Sequence, residues 1–472
     1  MKPPGNDRLN ILGDKTAEFY LNPKSFCENR VAKHKSTIFQ QRFLNKPTVW
    51  LTDYTSVHCL LYEKCSNFDQ GYDVMNILPQ LFGSSCVLFQ NGDVVIKLRE
   101  ILANSISQRV DKINRLLEFQ VFPALDKMCQ QDLECDLYQT IKEMMTKLFL
   151  QFFFDIDAEK EPELIATITK LSIEHWHGIT SIPTSIKLVG KVFQKALNAK
   201  KRLIEIFKER LTRTDSEPPL VYTEMLSQIG EETAVDHVIV CISALLPKAT
   251  ASLLTSALIQ MAMHRPLDRL LPTASQTTHV NSEDTSCDSP VNGGGDNKEG
   301  GGHNSEKEVF DALLKETYRL FPPFFGGRKV AKEEIDLGKY QIEQGQKNFQ
   351  MLLAAIIYMS YFAHRDSKVF PYSEEYLPER WLSVKNKASS PSLFTFGGGK
   401  RECVGGHFTH HILTRILQHI AITSGYEVQL SEPETYYKEY KWLPVSRPKN
   451  PVRLKFLKSS QGSLQNGSML MS

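Results

Sequence analysis

The sequence predicts a mainly α fold with a small β-rich part, built as one large domain. Apolar residues recur three and four apart, with few glycines, from Asp93 to about Leu211, which is the period of amphipathic helices. Thr233–His264 carries another long helical pattern, and Phe408, Ile412, Leu413, Ile416, Leu417 and Ile420 mark the face of a last one. Against these stand two short β-type runs near the start, Ile38–Leu44 and Thr48–Thr52, joined by a turn at Asn45-Lys46-Pro47.

Within Thr233–His264, Pro247 removes a backbone donor and predicts a kink. The composition then changes. Residues 272–304, ending in V-N-G-G-G-D-N-K-E-G-G-G-H-N, lack apolar residues to pack and read as a flexible low-complexity insert. Ser305-x-x-Glu308 is a capping box for a helix over Val309–Leu320, which Phe321-Pro322-Pro323 ends. The expected organisation is one domain over 1–458, interrupted at 272–304, with a disordered tail at 459–472.

The chain has 472 residues, 41% hydrophobic and 23% charged, enough to bury a sizeable core. A net charge of +2 supplies no polybasic field for nucleic acid. Nine cysteines with no C-x-x-C pair argue against a disulfide scaffold and tetrathiolate zinc. The start, M-K-P-P-G-N-D-R, has no apolar segment of a signal peptide. Phe349–Ala363 is too short to span a bilayer, and Val238–Met263 is interrupted by Pro247 and Lys248, so no membrane span is expected.

The most informative stretch is Phe394–Gly406, F-T-F-G-G-G-K-R-E-C-V-G-G. Its glycines let backbone approach something flat and bulky, and Cys403 sits just before a helix, where the dipole and free amides favour a thiolate. The stretch resembles the haem-binding loop of the cytochrome P-450 (haem-thiolate monooxygenase) family, F-x-x-G-x-R-x-C-x-G, matching at Phe396, Gly399, Arg401, Cys403 and Gly405. Glu316-Thr-Tyr-Arg319 matches the family's E-x-x-R helix. Tyr376-Leu-Pro-Glu-Arg-Trp381 resembles its P-E-R-W segment, and His364-Arg365-Asp366 with Phe370 resembles the stretch before it. E-F-Y-L-N-P-K-S-F (18–26), Lys46-Pro47-Thr48-Val49 and P-P-F-F-G-G-R-K-V (322–330) resemble the retinoic-acid- and sterol-hydroxylating branch.

The resemblance implies a P-450 fold around one haem b, with Cys403 as axial thiolate on iron and Arg401 paired to a propionate. Phe396 would pack on the cysteine side of the ring, and Glu316, Arg319 and Arg380 would form a buried structural cluster. The family's propionate-holding Trp or His falls at Val95, while Arg99, four residues on, remains. The activity implied is insertion of one oxygen atom from O2 into a retinoid, sterol or fatty acid. Electrons would come from an NADPH-dependent reductase or a ferredoxin-type donor. The implied location is the endoplasmic-reticulum surface, with peripheral membrane contact, or else the cytoplasm. The pocket is expected along Ala244–Ala249 and at Phe324 and Phe325.

One helix departs from the pattern. Leu245-Leu246-Pro247-Lys248-Ala249-Thr250 falls on the oxygen-activating A-G-x-D/E-T-T, so Lys248 and Ala249 replace the acid and alcohol of the proton relay. Thr250 serves instead only if Pro247 shifts the register. The alternatives are an oxygen-independent isomerase or dehydratase of lipid peroxides, or a catalytically degenerate haem or lipid binder. Other motif readings are weaker. His364-Arg365-Asp366 lacks the Asn and D-F-G of a kinase, and G-G-G-K-R (397–401) lacks the Ser or Thr of a phosphate loop. Cys403, His407 and His411, four apart, make a candidate zinc face that solvent-facing histidines explain more simply.

Overall fold

The apolar spacing between Asp93 and Leu211 becomes helices Asp93–Ser107, Val110–Leu116, Phe122–Gln130, Leu137–Phe154, Pro162–His177 and Lys191–Thr212 in a computed structural model. The structure describes residues 1–5, 13–44, 46–70, 77–130, 136–180, 191–212, 220–271, 305–342, 355–382 and 390–458. The predicted insert at 272–304 and tail at 459–472 lie outside them. Leu137–Phe154 packs along Leu246–His264, which packs in turn on Glu306–Leu320. Phe149, Phe152, Leu254, Leu313 and the predicted face Phe408, Ile412, Leu413, Ile416, Leu417 and Ile420 meet in one buried cluster. The capping box forms as expected, with the Ser305 side chain accepting from the Glu308 amide ahead of Glu306–Leu320.

The β-rich part is a five-stranded sheet in the order Ile38–Phe43, Lys46–Leu51, Ala355–Tyr358, Gly327–Ala331, Phe68–Gln70. Lys46–Leu51 runs antiparallel to Ile38–Phe43 and parallel to Ala355–Tyr358. Side chains alternate across a strand, so Val49 and Leu51 enter one core and Trp50 another. Trp50 faces Phe39 across the ladder with their rings stacked at 6.0 Å. The turn is tighter than the sequence suggested. Lys46 and Pro47 are in the strand, paired with Phe43 and Arg42, and Leu44 makes the reversal at φ +49°.

The central helix runs Glu231–Ile239, Val240–Leu245, Leu246–His264. It is long and apolar enough to cross a bilayer, but 71% of its most apolar window is buried inside the protein. The middle segment is a wide π-turn ending just before Pro247. Another, Leu117–Val121, precedes Pro123. A proline cannot donate to the carbonyl four residues back, and a wider turn absorbs the missing bond.

Candidate active site: the cysteine loop and the cluster behind it

Glu316 and Arg319 lie three apart on one helical face and are fully buried. The Glu316 carboxylate accepts from Arg319 Nε at 3.0 Å and Nη2 at 2.8 Å, Arg380 Nε at 3.1 Å, Trp381 Nε1 at 2.8 Å and the Leu377 amide at 2.9 Å. Arg319 further donates to the carbonyls of His364 at 2.9 Å, Ser373 at 2.6 Å and Glu375 at 2.8 Å. Both arginines thus pair with the one buried carboxylate of Glu316. Buried charge on this scale is tolerable only because each partner is present.

His364 joins that cluster to the cysteine loop. Its Nε2 accepts from the Phe394 amide at 2.7 Å, so its Nδ1–H donates to the Arg319 carbonyl at 3.1 Å. Burial holds the imidazole neutral, with a pKa lowered to about 3. Thr395 Oγ1 donates to the Tyr318 carbonyl at 2.7 Å, and the Cys403 amide closes the loop onto the Phe396 carbonyl at 2.7 Å. Gly399 sits at φ +60°, and a Cβ there would collide with the Leu61 carbonyl, so only glycine fits. Gly405 precedes helix Gly406–Gln418, and the Phe396 ring lies against Gly406.

The thiol of Cys403 departs from expectation. Burial pushes its pKa up, and the Gly405 and Gly406 amides and the Arg99 guanidinium offset that only in part. Yet the side chain keeps accessible surface. Arg99 donates to the Glu402 carbonyl beside it. Arg401 turns to the other side, reaching the carbonyls of Val87 at 3.3 Å and Gln90 at 2.6 Å and Asn91 Oδ1 at 2.9 Å.

A third cation joins them that motif reading missed. Lys329, on strand Gly327–Ala331, is buried, and desolvation together with Arg401 and Arg99 lowers its pKa to about 8. Arg401 is depressed by burial and by Arg99 in the same way. Among the described residues no carboxylate lies within salt-bridge distance of Arg99, Lys329 or Arg401, although Asp69 acts on two of them from farther away. The G-G-R-K-V run carried the signal, but nothing in spacing ties position 329 to 99 and 401. An accessible thiol at a helix start, a glycine-lined approach and three crowded cations fit a flat dianionic prosthetic group such as haem b.

In the central helix, Lys248 is held against the backbone of its own turn. Pro247 cannot donate to the Ser243 carbonyl, and Lys248 Nζ donates to that same carbonyl while lying 4.6 Å from the Trp176 ring centre. Burial, with Lys142 nearby, lowers the Lys248 pKa to about 7. His175 donates from Nε2 to the Leu81 carbonyl at 2.8 Å and accepts from Ser243 Oγ at 2.6 Å, fixing the turn from the other side. Thr250 is buried, and its hydroxyl has no hydrogen-bond partner among the described residues. Within the central helix, Leu246 lies beside Gly405, and the Cys241 thiol is near enough for Cys403 to act on it electrostatically.

Three further expectations resolve. Phe325 does not line a pocket: it is buried against Tyr361 at 4.7 Å and Trp442 at 5.4 Å, because the short loop after Pro323 turns it into that aromatic cluster. Val95 is buried in the core. His411 bonds Asn114 Oδ1 at 2.7 Å, and no group of three or more metal-binding side chains occurs among the described residues.

Comparison with known proteins gives a consistent picture. The family model described as cytochrome P450 matches residues 3–226 and 305–456, leaving the atypical central helix between the two matches. An abietadienol/abietadienal oxidase of Pinus taeda is 25% identical over 96% of this chain and 90% of its own length. Cytochrome P450 26A1 of Danio rerio is 23% identical over 87% of this chain and 82% of its own. A retinoic-acid-bound cyanobacterial CYP120A1 superposes with a TM-score of 0.72 at 18% identity, over 97% of this chain and 99% of that one. The chain therefore belongs to the cytochrome P450 family, monooxygenases that bind haem b through a cysteine thiolate.

Proposed function

We propose that this chain is a haem-thiolate monooxygenase of a lipophilic retinoid, sterol or fatty acid, with Cys403 as the axial ligand. The observation that carries the reading is the convergence of Cys403 with Arg99, Lys329 and Arg401. In this reading the three cations hold the two haem carboxylates, Phe396 packs beside the thiolate, and Gly399 and Gly405 let the backbone close. Bound there, haem supplies reductive activation of O2, which a thiolate ligand assists by favouring O–O cleavage. Electrons come from a separate reductase or ferredoxin-type donor on the cysteine side. Retinoic acid bound to the cyanobacterial neighbour and the retinoic-acid-hydroxylase-like start of the chain support the substrate class.

The test is turnover by the reconstituted protein with NADPH, reductase and O2. Hydroxylated product in step with NADPH use is expected; oxygen uptake without coupled product contradicts the reading. Removing one charge-assisted bond to a carboxylate costs about 1.5–3 kcal/mol, so Lys329→Ala should weaken haem retention ~10-fold or more. Unchanged retention in haem-transfer assays removes Lys329 from the site.

A second reading rests on Lys248 bound to a backbone carbonyl where an acid is needed. An oxygen-independent isomerase or dehydratase needs no relay, because a lipid hydroperoxide already carries its activated oxygen. Turnover of a hydroperoxide without NADPH or reductase selects it; inertness toward hydroperoxides eliminates it.

A further inference from the structure

Behind the cysteine loop lies a polar chain that neither the buried cluster nor the cation trio uses. Tyr318, inside the E-x-x-R motif, is buried, and its hydroxyl lies 3.1 Å from Nδ1 of His410. His410 Nε2 lies 3.2 Å from Asp311 Oδ1, and Asp311 also accepts from Lys315 Nζ at 2.7 Å. His410 is the hydrogen-bond partner the structure gives the Tyr318 hydroxyl, so the hydroxyl is satisfied as a donor only with Nδ1 accepting and Nε2–H on Asp311. Burial works to raise the Asp311 pKa, but bonds from His410 and Lys315 outweigh it and hold the carboxylate at about 2. The chain thus runs from a buried phenol, through an imidazole, to an ionised carboxylate at the half-exposed surface.

The other side of Tyr318 points at the cysteine loop. Its ring meets Phe396 edge-on at 5.2 Å and 82°, and the Phe396 carbonyl accepts from the Cys403 amide at 2.7 Å. Thr395 fastens this loop to the Tyr318 carbonyl at 2.7 Å. A hydroxyl needing only a partner is satisfied by any carbonyl. Here the acceptor is a base whose far nitrogen is already held by a carboxylate, the arrangement that receives a proton.

We propose that Tyr318 is a redox-active tyrosine that gives one electron toward the haem site through Phe396 and Cys403 while its phenolic proton passes to Nδ1 of His410. The O–H bond of Tyr318 breaks, a neutral phenoxyl radical remains, and Asp311 stabilises the imidazolium formed. The oxidant is a peroxide, reduced by two electrons as its O–O bond breaks; one electron comes from Tyr318 and the other from the haem. The device drains oxidising equivalents that would otherwise damage the haem or its thiolate when no substrate is positioned. The inference rests on Cys403 as haem ligand.

The experiment mixes haem-loaded wild type, Tyr318→Phe and His410→Leu with a peracid and freezes each for electron paramagnetic resonance. Wild type should give a tyrosyl radical signal, lost in Tyr318→Phe, which keeps the ring on Phe396. The signal should also be lost in His410→Leu, where the tyrosine remains but the proton acceptor is gone. Peroxide should bleach the haem faster in Tyr318→Phe than in wild type. An undiminished signal in either variant, or equal bleaching, overturns the proposal. The carbon monoxide spectrum of each reduced protein separates the two failures. A wild type without a thiolate band overturns the haem-ligand reading as well, whereas a normal band with no radical overturns this inference alone.

Discussion

Replacing Glu316 by alanine is expected to yield no stable haem-loaded protein. Its carboxylate takes five hydrogen bonds, three of them from the guanidinium groups of Arg319 and Arg380. Removing one member of such a cluster strands buried charge and costs about 3–5 kcal/mol, a large share of a total stability of roughly 5–15 kcal/mol. The effect reaches the cysteine loop through Arg319, whose Nη1 and carbonyl both engage His364, which in turn holds the Phe394 amide. Glu316→Gln keeps the shape and loses the charge, so it should fold with a lower melting temperature. A Glu316→Ala protein that melts like wild type contradicts this account of the cluster.

Near pH 10.5, where the amine is no longer charged at a cost to the fold, Lys248→Met should destabilise the protein by about 1–3 kcal/mol, because the Ser243 carbonyl loses its donor. Pro247→Ala returns a backbone N–H at the same turn. The double variant should therefore recover most of the loss, a coupling that independent substitutions do not show. Additive losses would mean that Lys248 does not repair the proline turn. The pH dependence carries a definite sign. Burial lowers the Lys248 pKa to about 7, below its ordinary value of 10.5, so the unfolded chain binds the extra proton between these values. Wild type should gain stability relative to Lys248→Met as pH rises from about 7 toward 10.5, and denaturant titrations across that window measure the difference.

These two regions differ in how legible they were. The Glu316–Arg319 pair, the cysteine loop and the capping box are set by residue types at fixed short spacings, whereas Arg380, far along the chain from Glu316, was named only through the family resemblance. The buried face of Gly406–Gln418 followed from periodicity in the same way. The role of Lys248 did not, because it depends on a carbonyl that Pro247 leaves free, and no side-chain pattern records a backbone acceptor. Lys329 meets Arg99 and Arg401 only through the sheet, across sequence separations that periodicity cannot bridge. His364 was legible as part of a stretch, but its bond to Phe394 depends on tertiary folding. Phe325 was misplaced because an apolar residue after a proline pair serves a pocket or a core equally well, and the ring of Trp442 decided it.

The central claim is that Cys403 binds haem iron as a thiolate. Its most direct test is the carbon monoxide spectrum of the reduced protein. A red-shifted Soret band characteristic of thiolate-bound haem is expected in wild type and should vanish in Cys403→Ala. A wild type without that band, or a Cys403→Ala protein that retains it, contradicts the assignment.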